Sequence, residues 1–146
     1  MNESRSTING LPSLEIRSGI DIISVARVAR LLDRQGERFV ARVFTAREQT
    51  DCAALAPPAR SRALAARFAA KEATAKALGT GIGRAGIGWQ MIEIVRRESG
   101  EPLLVLHAKA AARARLLGVI SQSVSLSHEA ELAVASCTLL CWAGEG

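Results

Sequence analysis

The most regular pattern of the chain predicts a long helix over residues 62–78. Nearly every residue there is Ala, Leu, Arg, Lys or Glu, all strong helix formers, and neither Gly nor Pro interrupts them. Gly79 follows directly, at the usual position of a left-handed C-terminal cap. Small residues recur at every fourth position of this helix, so another backbone can approach closely along that face. These residues are Ala65, Ala69, Ala73 and Ala77.

The same helix carries charges on the continuation of an apolar stripe. Leu64 and Phe68 are followed, at the same four-residue spacing, by Glu72 and Lys76. Glu four residues before Lys is the favourable order for an ion pair on a helix surface, and such pairs usually only solvate a face. Taken alone, Glu72 and Lys76 are therefore interpreted as a surface ion pair.

Two neighbouring features favour an anionic ligand. Arg67 and Lys71 form a cationic row beside the pair, and the loop 79–83 has the sequence Gly-Thr-Gly-Ile-Gly. Free backbone N–H groups in such a loop could bind phosphate oxygens. The loop alone is weak evidence, because it follows a helix and matches neither the Walker nor the Rossmann fingerprint.

The remaining chain alternates between strand and helix patterns. Their sum predicts an α+β domain with a largely antiparallel sheet packed on the central helix. From Leu14 to Ile22 apolar residues alternate, which predicts a strand with one buried apolar face and Asp21 on the opposite side. Asp is disfavoured inside a strand, so Asp21 either has a specific purpose there or belongs to the cap of the following helix.

A short basic helix is predicted directly after this strand, from residue 24 to residue 32. Val25, Val28 and Leu32 have helical spacing, and Gly36 ends the segment. The outer side carries three arginines, which usually form a solvated face but are also the most concentrated basic surface of the chain. They are Arg27, Arg30 and Arg34.

Caps and turns set the order of the other elements. Thr45 and Glu48 match a capping box that starts a helix, and Pro57 with Pro58 breaks the chain before the central helix. The later segments predict a β-hairpin of strands 89–95 and 103–106, followed by a helix over residues 108–117 that Gly118 closes. A strand over 121–127, a turn over 128–131 and a final strand over 132–140 complete the chain.

Composition limits the class of protein. The 146 residues suffice for one domain, predicted over residues 14–142, after a disordered extension rich in Asn, Ser, Thr and Gly over residues 1–13. A net charge of +5 predicts an acidic partner. Aromatic residues make up only 3% and Tyr is absent, which argues against a base-stacking nucleic-acid platform.

The cysteines and the apolar runs indicate a soluble cytoplasmic protein. Cys52, Cys137 and Cys141 are odd in number and lack zinc-finger spacing, which favours free thiols in a reducing compartment. No apolar run reaches the roughly 18 residues that a membrane helix needs. The polar first residues also lack the apolar core of a signal peptide.

Four segments together resemble the holo-acyl-carrier-protein synthase family of 4′-phosphopantetheinyl transferases, in the family's order and at its separations. The resemblance extends from about residue 16 to residue 140. It implies the phosphopantetheinyl transferase fold and transfer of the phosphopantetheine arm of coenzyme A to a serine of an apo acyl carrier protein, with release of adenosine 3′,5′-bisphosphate. The segments are GIDIISVARV from Gly19, FVARVFTAREQ from Phe39, RFAAKEATAKALGTGIG from Arg67 and SVSLSHEAELAVA from Ser123.

The resemblance also implies the residues of the reaction centre. Asp21 and Glu72 match the family's Mg²⁺ ligands, and two carboxylates without His or Cys suit such a hard cation. Lys76 would contact the coenzyme A phosphates and stabilise the developing charge. Glu72, or a metal-bound water beside it, would accept the serine proton.

Further implied contacts lie outside that centre. Carrier proteins of this family are acidic and dock on the first helix, which makes Arg27, Arg30 and Arg34 a docking face. This short branch of the family forms homotrimers with each active site at a protomer interface, and fatty acid biosynthesis is the implied pathway. The implied coenzyme A contacts are Arg67, Lys71, Gly79, Thr80, Gly81, Ile82, Gly83 and His128.

Three positions depart from the family pattern. Arg17 replaces the first of two motif glycines, Met91 replaces an Asp, and Glu101 replaces a Lys. These departures concern recognition of ligand or partner more than the reaction itself. Two other functions remain open: a non-catalytic module of the same fold that binds carrier protein or coenzyme A, and, with weaker support, a basic nucleic-acid binder.

Overall fold

The computed structural model describes residues 13–143, so the disordered extension predicted over residues 1–13 lies, apart from Ser13, outside the described residues. Five strands and five helices make up this part of the chain, with short 3₁₀ turns at Arg84–Gly86 and Trp89–Met91. In chain order they are β1 (Leu14–Ser24), α1 (Val25–Gln35), α2 (Glu37–Val43), α3 (Ala46–Ala53), α4 (Ala59–Leu78), β2 (Ile92–Arg96), β3 (Pro102–Leu106), α5 (Ala108–Leu116), β4 (Val119–Glu129) and β5 (Leu132–Trp142).

The strands form two antiparallel sheets. The larger sheet has the order β1-β5-β4, and the smaller one is the β2–β3 hairpin. Every strand pair is antiparallel, which confirms the predicted α+β class. The helix α4 packs across the larger sheet and buries most of its own residues.

The Ala stripe of α4 receives the backbone of β1. Ala65, Ala69, Ala73 and Ala77 are all buried, as the four-residue period predicts. A Cβ built on Gly19 would overlap the carbonyl oxygen of Ala73 and lie 2.8 Å from the Ala77 nitrogen. The strand and the helix therefore meet backbone to backbone at this point, and only Gly fits there.

The prediction that the apolar face of β1 is buried is wrong. Ile16 is 72% exposed and Ile20 is 64% exposed, while Asp21 lies on the half-buried inner face with Gly19. Alternation separates the two faces of a strand without saying which one is covered. Because α4 approaches too closely for any side chain at Gly19, the inner face is narrow there, and Leu14, Ile16, Ile20 and Ile22 lie on the outer face, whereas Ile23 near the end of the strand is buried.

Other differences from the predicted elements are local. The central helix begins earlier, at Ala59, immediately after Pro58. The helix α2 was not predicted, although Phe39, Val40 and Val43 bury one side of it. The strand β4 continues to Glu129, so residue 128 lies in a strand and not in a turn.

Several local predictions are confirmed. Thr45 and Glu48 form the capping box of α3, and Gly79 ends α4 in the left-handed conformation with φ 78°. Cys52, Cys137 and Cys141 are buried free thiols. Within the described part of the chain, no helix has both the length and the apolar character needed to cross a bilayer.

Gly19→Ala should destabilise the fold by about 3 kcal/mol or more, because the new methyl group meets backbone atoms that cannot turn aside. Gly88→Ala is the matched control, since Gly88 has an ordinary extended conformation and nothing lies within 4 Å of an added Cβ. Urea unfolding of the two variants measures the difference. A Gly19→Ala protein as stable as the control would contradict the close approach.

Candidate active site

Two carboxylates and one ammonium meet where the inner face of β1 crosses α4. The Nζ of Lys76 donates to Asp21 Oδ1 at 3.1 Å and to the carbonyl of Ile20 at 2.8 Å. Lys76 therefore forms its ion pair with a strand residue, and among the described residues no ion pair joins it to Glu72. The side chain of Lys76 stays 51% exposed, so the ammonium remains accessible to a ligand.

The carboxylate of Glu72 is half-buried and makes no side-chain hydrogen bond or ion pair with any residue from 13 to 143. Burial and the negative charge of Asp21 raise the pKa of Glu72, while Lys76 and Arg27 oppose that rise. Glu72 thus has free oxygen lone pairs and a like-charged neighbour, an arrangement that a cation or a proton would relieve.

The donor set at this point fits Mg²⁺. Asp21 and Glu72 offer carboxylate oxygens, which are the ligands that this ion prefers, and it commonly keeps waters and substrate phosphates as its other ligands. No cluster of three or more His, Cys, Asp or Glu occurs in the described residues, so no protein cage of the kind that closes a structural zinc site is present there.

The first turn of α1 lies next to these carboxylates. The Ser24 hydroxyl caps the helix by accepting from the Arg27 nitrogen at 3.4 Å, and the charge of Arg27 acts on Glu72. Arg30 and Arg34 follow one and two turns later, and all three arginines are exposed. A continuous basic surface therefore leads along α1 to the two carboxylates.

Lys71 does not belong to an exposed cationic row, and this corrects its predicted role. Its side chain is fully buried, and its Nζ donates to Glu48 Oε2 at 2.8 Å, to Trp89 O at 3.1 Å and to Ile92 O at 2.5 Å. All three donors of the ammonium are used within the protein. Lys71 is therefore unavailable to coenzyme A in this conformation.

The partner of Lys71 is a residue whose second role the sequence pattern missed. Besides capping α3, Glu48 accepts the backbone N–H of Ile94 at 2.9 Å. Burial lowers the pKa of Lys71, and the Glu48 carboxylate opposes that shift. The ion pair joins α3, β2 and α4 at the residue that precedes Glu72. The capping-box pattern predicts the hydrogen bond between Glu48 and the backbone of Thr45, but it contains no information about Lys71, which lies 23 residues away in the sequence.

The glycine loop uses most of its backbone donors internally. Thr80 and Gly81 both donate to the carbonyl of Ala75, and Gly83 donates to Ile87. The expectation of several free N–H groups is therefore wrong, and the Ile82 N–H is the donor of this loop with no partner in residues 13–143. The Thr80 hydroxyl is buried without a hydrogen-bond partner, so the loop does keep one unsatisfied polar side chain.

The two other predicted ligand contacts lie apart from the carboxylates. Arg67 is only 12% exposed and binds Asp51 at 3.3 Å and the carbonyl of Ile94 at 3.3 Å, beside a cleft of about 200 Å³. His128 is exposed on β4, which lies two strands from β1, about 10 Å away at normal strand spacing. A single copy of the chain therefore does not gather all predicted residues at one point.

Comparison with known proteins assigns the chain to a family. The family description that matches residues 17–137 is the 4′-phosphopantetheinyl transferase superfamily. The chain belongs to this superfamily. The chain is 47% identical to holo-[acyl-carrier-protein] synthase of Chloroflexus aurantiacus over 135 residues. The match covers 86% of this chain and 97% of the relative.

Solved structures agree with the assignment of this chain to the superfamily. Holo-(acyl-carrier-protein) synthase of Bacillus anthracis, in complex with CoA (3′,5′-ADP), has a TM-score of 0.72 and 34% identity, covering 86% of this chain and 96% of the other. The Helicobacter pylori synthase in complex with coenzyme A has a TM-score of 0.72 and 31% identity, covering 84% and 98%. The predicted fold and family are confirmed, and nothing among these relatives supports the non-catalytic alternative.

Lys71→Met should destabilise the transferase by about 3–5 kcal/mol, because it leaves the Glu48 carboxylate buried without its counter-charge. Adding Glu48→Gln should recover part of the loss, since no buried charge then remains. Lys109→Met, at an exposed position of α5, is the control and should change stability little. Urea unfolding gives all the values, and a loss below about 1 kcal/mol for Lys71→Met would refute the structural role.

Proposed function

We propose that the chain transfers the 4′-phosphopantetheine arm of coenzyme A to a serine hydroxyl of an apo acyl carrier protein. The observation that carries the proposal is the Asp21–Lys76 ion pair beside the unpartnered carboxylate of Glu72, in a member of the phosphopantetheinyl transferase superfamily. Relatives of the chain are named as holo-acyl-carrier-protein synthases, and two solved relatives contain coenzyme A or its nucleotide.

Asp21 and Glu72 hold Mg²⁺ in this proposal. When bound, the ion would offset the negative charge of the coenzyme A pyrophosphate and the further negative charge that develops on it during the reaction. The raised pKa of Glu72 and its lack of a partner within residues 13–143 support this role, because a dication removes the repulsion between the two carboxylates.

The chemical step exchanges one P–O bond for another. The serine Oγ attacks the phosphorus that carries the pantetheine arm, the bond from that phosphorus to the bridging oxygen breaks, and adenosine 3′,5′-bisphosphate leaves with the bridging oxygen. Glu72, or a metal-held water beside it, accepts the serine proton.

Lys76 stabilises the leaving group. Its ammonium has three donors, of which two are bound to Asp21 and to the Ile20 carbonyl, so one N–H remains for a phosphate oxygen. These two protein contacts also hold the ammonium in place before the substrate arrives. A charge placed in advance costs no reorganisation during the reaction.

In this proposal coenzyme A is bound by predicted contact residues whose hydrogen-bonding groups are not already used within the protein. Among the described residues the Ile82 N–H is the loop donor without a partner, the Thr80 hydroxyl is unsatisfied but buried, and the remaining residues of loop 79–83 shape the path of the loop. Arg67 and His128 are retained as contacts to the nucleotide end of the ligand. Lys71 is withdrawn from this set because it is saturated inside the protein.

The acidic carrier protein docks on α1 in this proposal. Arg27, Arg30 and Arg34 lie on one exposed side of the helix, and Arg27 is close enough to act on Glu72. A carrier held along this row therefore reaches the carboxylates with its serine. Fatty acid biosynthesis is the pathway that we assign to the carrier, and three reduced buried thiols support a reducing cytoplasm as the location.

A homotrimer explains the outer face of the larger sheet. Leu14, Ile16, Ile20 and Ile22 are large, aliphatic and exposed on β1, and exposed apolar patches of this kind mark interfaces. A second copy packed there would cover this aliphatic row.

Intact-mass spectrometry of an apo carrier protein incubated with the chain, coenzyme A and Mg²⁺ tests the transfer. We expect a phosphopantetheine mass gain that disappears with EDTA. Glu72→Gln should slow the transfer by about 10²-fold or more, since it removes both a metal ligand and a base. Glu98→Gln, in the exposed β2–β3 turn, is the matched control and should stay active. No gain with a folded protein would overturn the proposed activity.

The metal role has a readout that does not require turnover. Mg²⁺ should raise the melting temperature of the unaltered chain and raise that of Glu72→Gln much less, because the variant keeps only Asp21 as a charged ligand. Without Mg²⁺, Glu72→Gln should not be less stable at neutral pH, since a raised pKa means that folding disfavours the ionised carboxylate. An equal Mg²⁺ shift in both proteins would reject Glu72 as a ligand.

Ile16→Asp should convert the trimer to monomers, because it places a charge in the centre of the aliphatic row on β1. Light scattering after size-exclusion chromatography measures the mass, and circular dichroism checks that the variant is folded. Leu116→Asp, at a position 83% exposed on α5, is the control and should remain trimeric. A trimeric Ile16→Asp protein, or monomers of the unaltered chain, would contradict the proposal.

A further inference from the structure

The last four carbonyl groups of α4, which lack partners within a regular helix, are all satisfied by other groups of the protein. Ala75 O accepts from the backbone nitrogens of Thr80 at 3.1 Å and Gly81 at 3.2 Å, and Lys76 O accepts from Gly79 at 3.0 Å. These bonds tie the glycine loop to the turn that carries the Lys76 side chain. The position of the loop and the position of that ammonium are therefore linked.

Two arginines from other elements satisfy the final two carbonyls. Arg17 Nε, on the inner face of β1, donates to Ala77 O at 2.9 Å, and Arg113 Nε, on α5, donates to Leu78 O at 2.9 Å. A positive charge at a helix C-terminus is also favourable for the helix dipole. The end of α4 is thus bonded on one side to the strand and on the other side to the last helix.

The two guanidinium groups converge on Gly79. A Cβ built on this residue would lie 2.8 Å from a terminal nitrogen of Arg17 and 3.4 Å from one of Arg113. Gly79 already needs its left-handed conformation, and the arginines now occupy the space that a side chain would take. Arg17 is further held by Glu15, at 3.1 Å from its other terminal nitrogen.

We propose that Arg17 and Arg113 form a clamp that positions the glycine loop and Lys76 for coenzyme A. This inference rests on the proposed function, because it assigns the loop and Lys76 to that substrate. The clamp residues act through the loop and the end of α4, so they are positioning residues. Arg17 stands where the resembling family usually has Gly, which makes the strand half of the clamp a feature of this chain.

The clamp predicts a selective kinetic effect. Arg17→Met and Arg113→Met each remove one bond to the end of α4, which frees the loop and should raise KM for coenzyme A by about tenfold. KM for the apo carrier should stay unchanged, because the bonds of Arg17 and Arg113 go to the end of α4 and to Glu15, and none goes to α1 within residues 13–143. Arg17→Lys keeps a donor for Ala77 O and should restore most of the affinity.

The control removes the same charge without touching α4. Arg115→Met is two residues from Arg113 on α5, and the exposed Arg115 side chain makes no bond to the carbonyls at the end of the helix. It should leave both KM values unchanged. A rise in KM equal to that of Arg113→Met would assign the effect to general charge and overturn the clamp.

Hydrogen–deuterium exchange of the peptide covering residues 79–83 tests the clamp without any turnover. The loop amides should exchange faster in Arg17→Met and Arg113→Met than in Arg115→Met and the unaltered chain. A lower melting temperature with unchanged exchange and unchanged KM for coenzyme A would show a helix cap only and reject the positioning role. An unaltered chain that transfers nothing would overturn the proposed function, while the exchange result would still decide the clamp.

Discussion

The structure depends on the close contact between β1 and α4 at Gly19. There the strand meets the helix backbone to backbone, over a row of alanines that offers no side chain to keep it away. Because the two elements approach so closely, Asp21 on the strand comes within hydrogen-bond distance of Lys76 on the helix. The same contact leaves no room for a side chain at Gly19, and the exposed isoleucines of β1, Ile16, Ile20 and Ile22, lie on the outer face.

Two lysines on neighbouring turns of α4 show how burial separates structural from chemical roles. Lys71 is fully buried, and every donor of its ammonium is bound to Glu48 or to a main-chain carbonyl. Lys76 is half exposed and keeps a donor free. Lys71 stabilises the packing of α4 next to Glu72, and Lys76 can bind a ligand. Both are lysines that follow a charged residue by four positions, Arg67 before Lys71 and Glu72 before Lys76. Their different roles therefore become visible only in the packing of the folded chain.

The local features of this chain could be predicted from its sequence, and the distant contacts could not. The capping box at Thr45 and the glycine cap of α4 follow from bonds between near neighbours, as do most of the elements, whereas α2 was not predicted. The partner of Lys71, the buried side of β1 and the arginines at the end of α4 depend on which segments meet in space. The resemblance identified Asp21 and Glu72 by motif, whereas the spacing alone favoured an ion pair between Glu72 and Lys76.

The alanine stripe also has a consequence for how this protein can evolve. In a core built from large side chains, one residue can shrink while a neighbour grows, and the total volume is kept. The contact between β1 and α4 has no such reserve, because main-chain atoms already fill it. Mutational tolerance is therefore lowest where the side chains are smallest, and any drift of the strand relative to the helix would require changes in both elements at once.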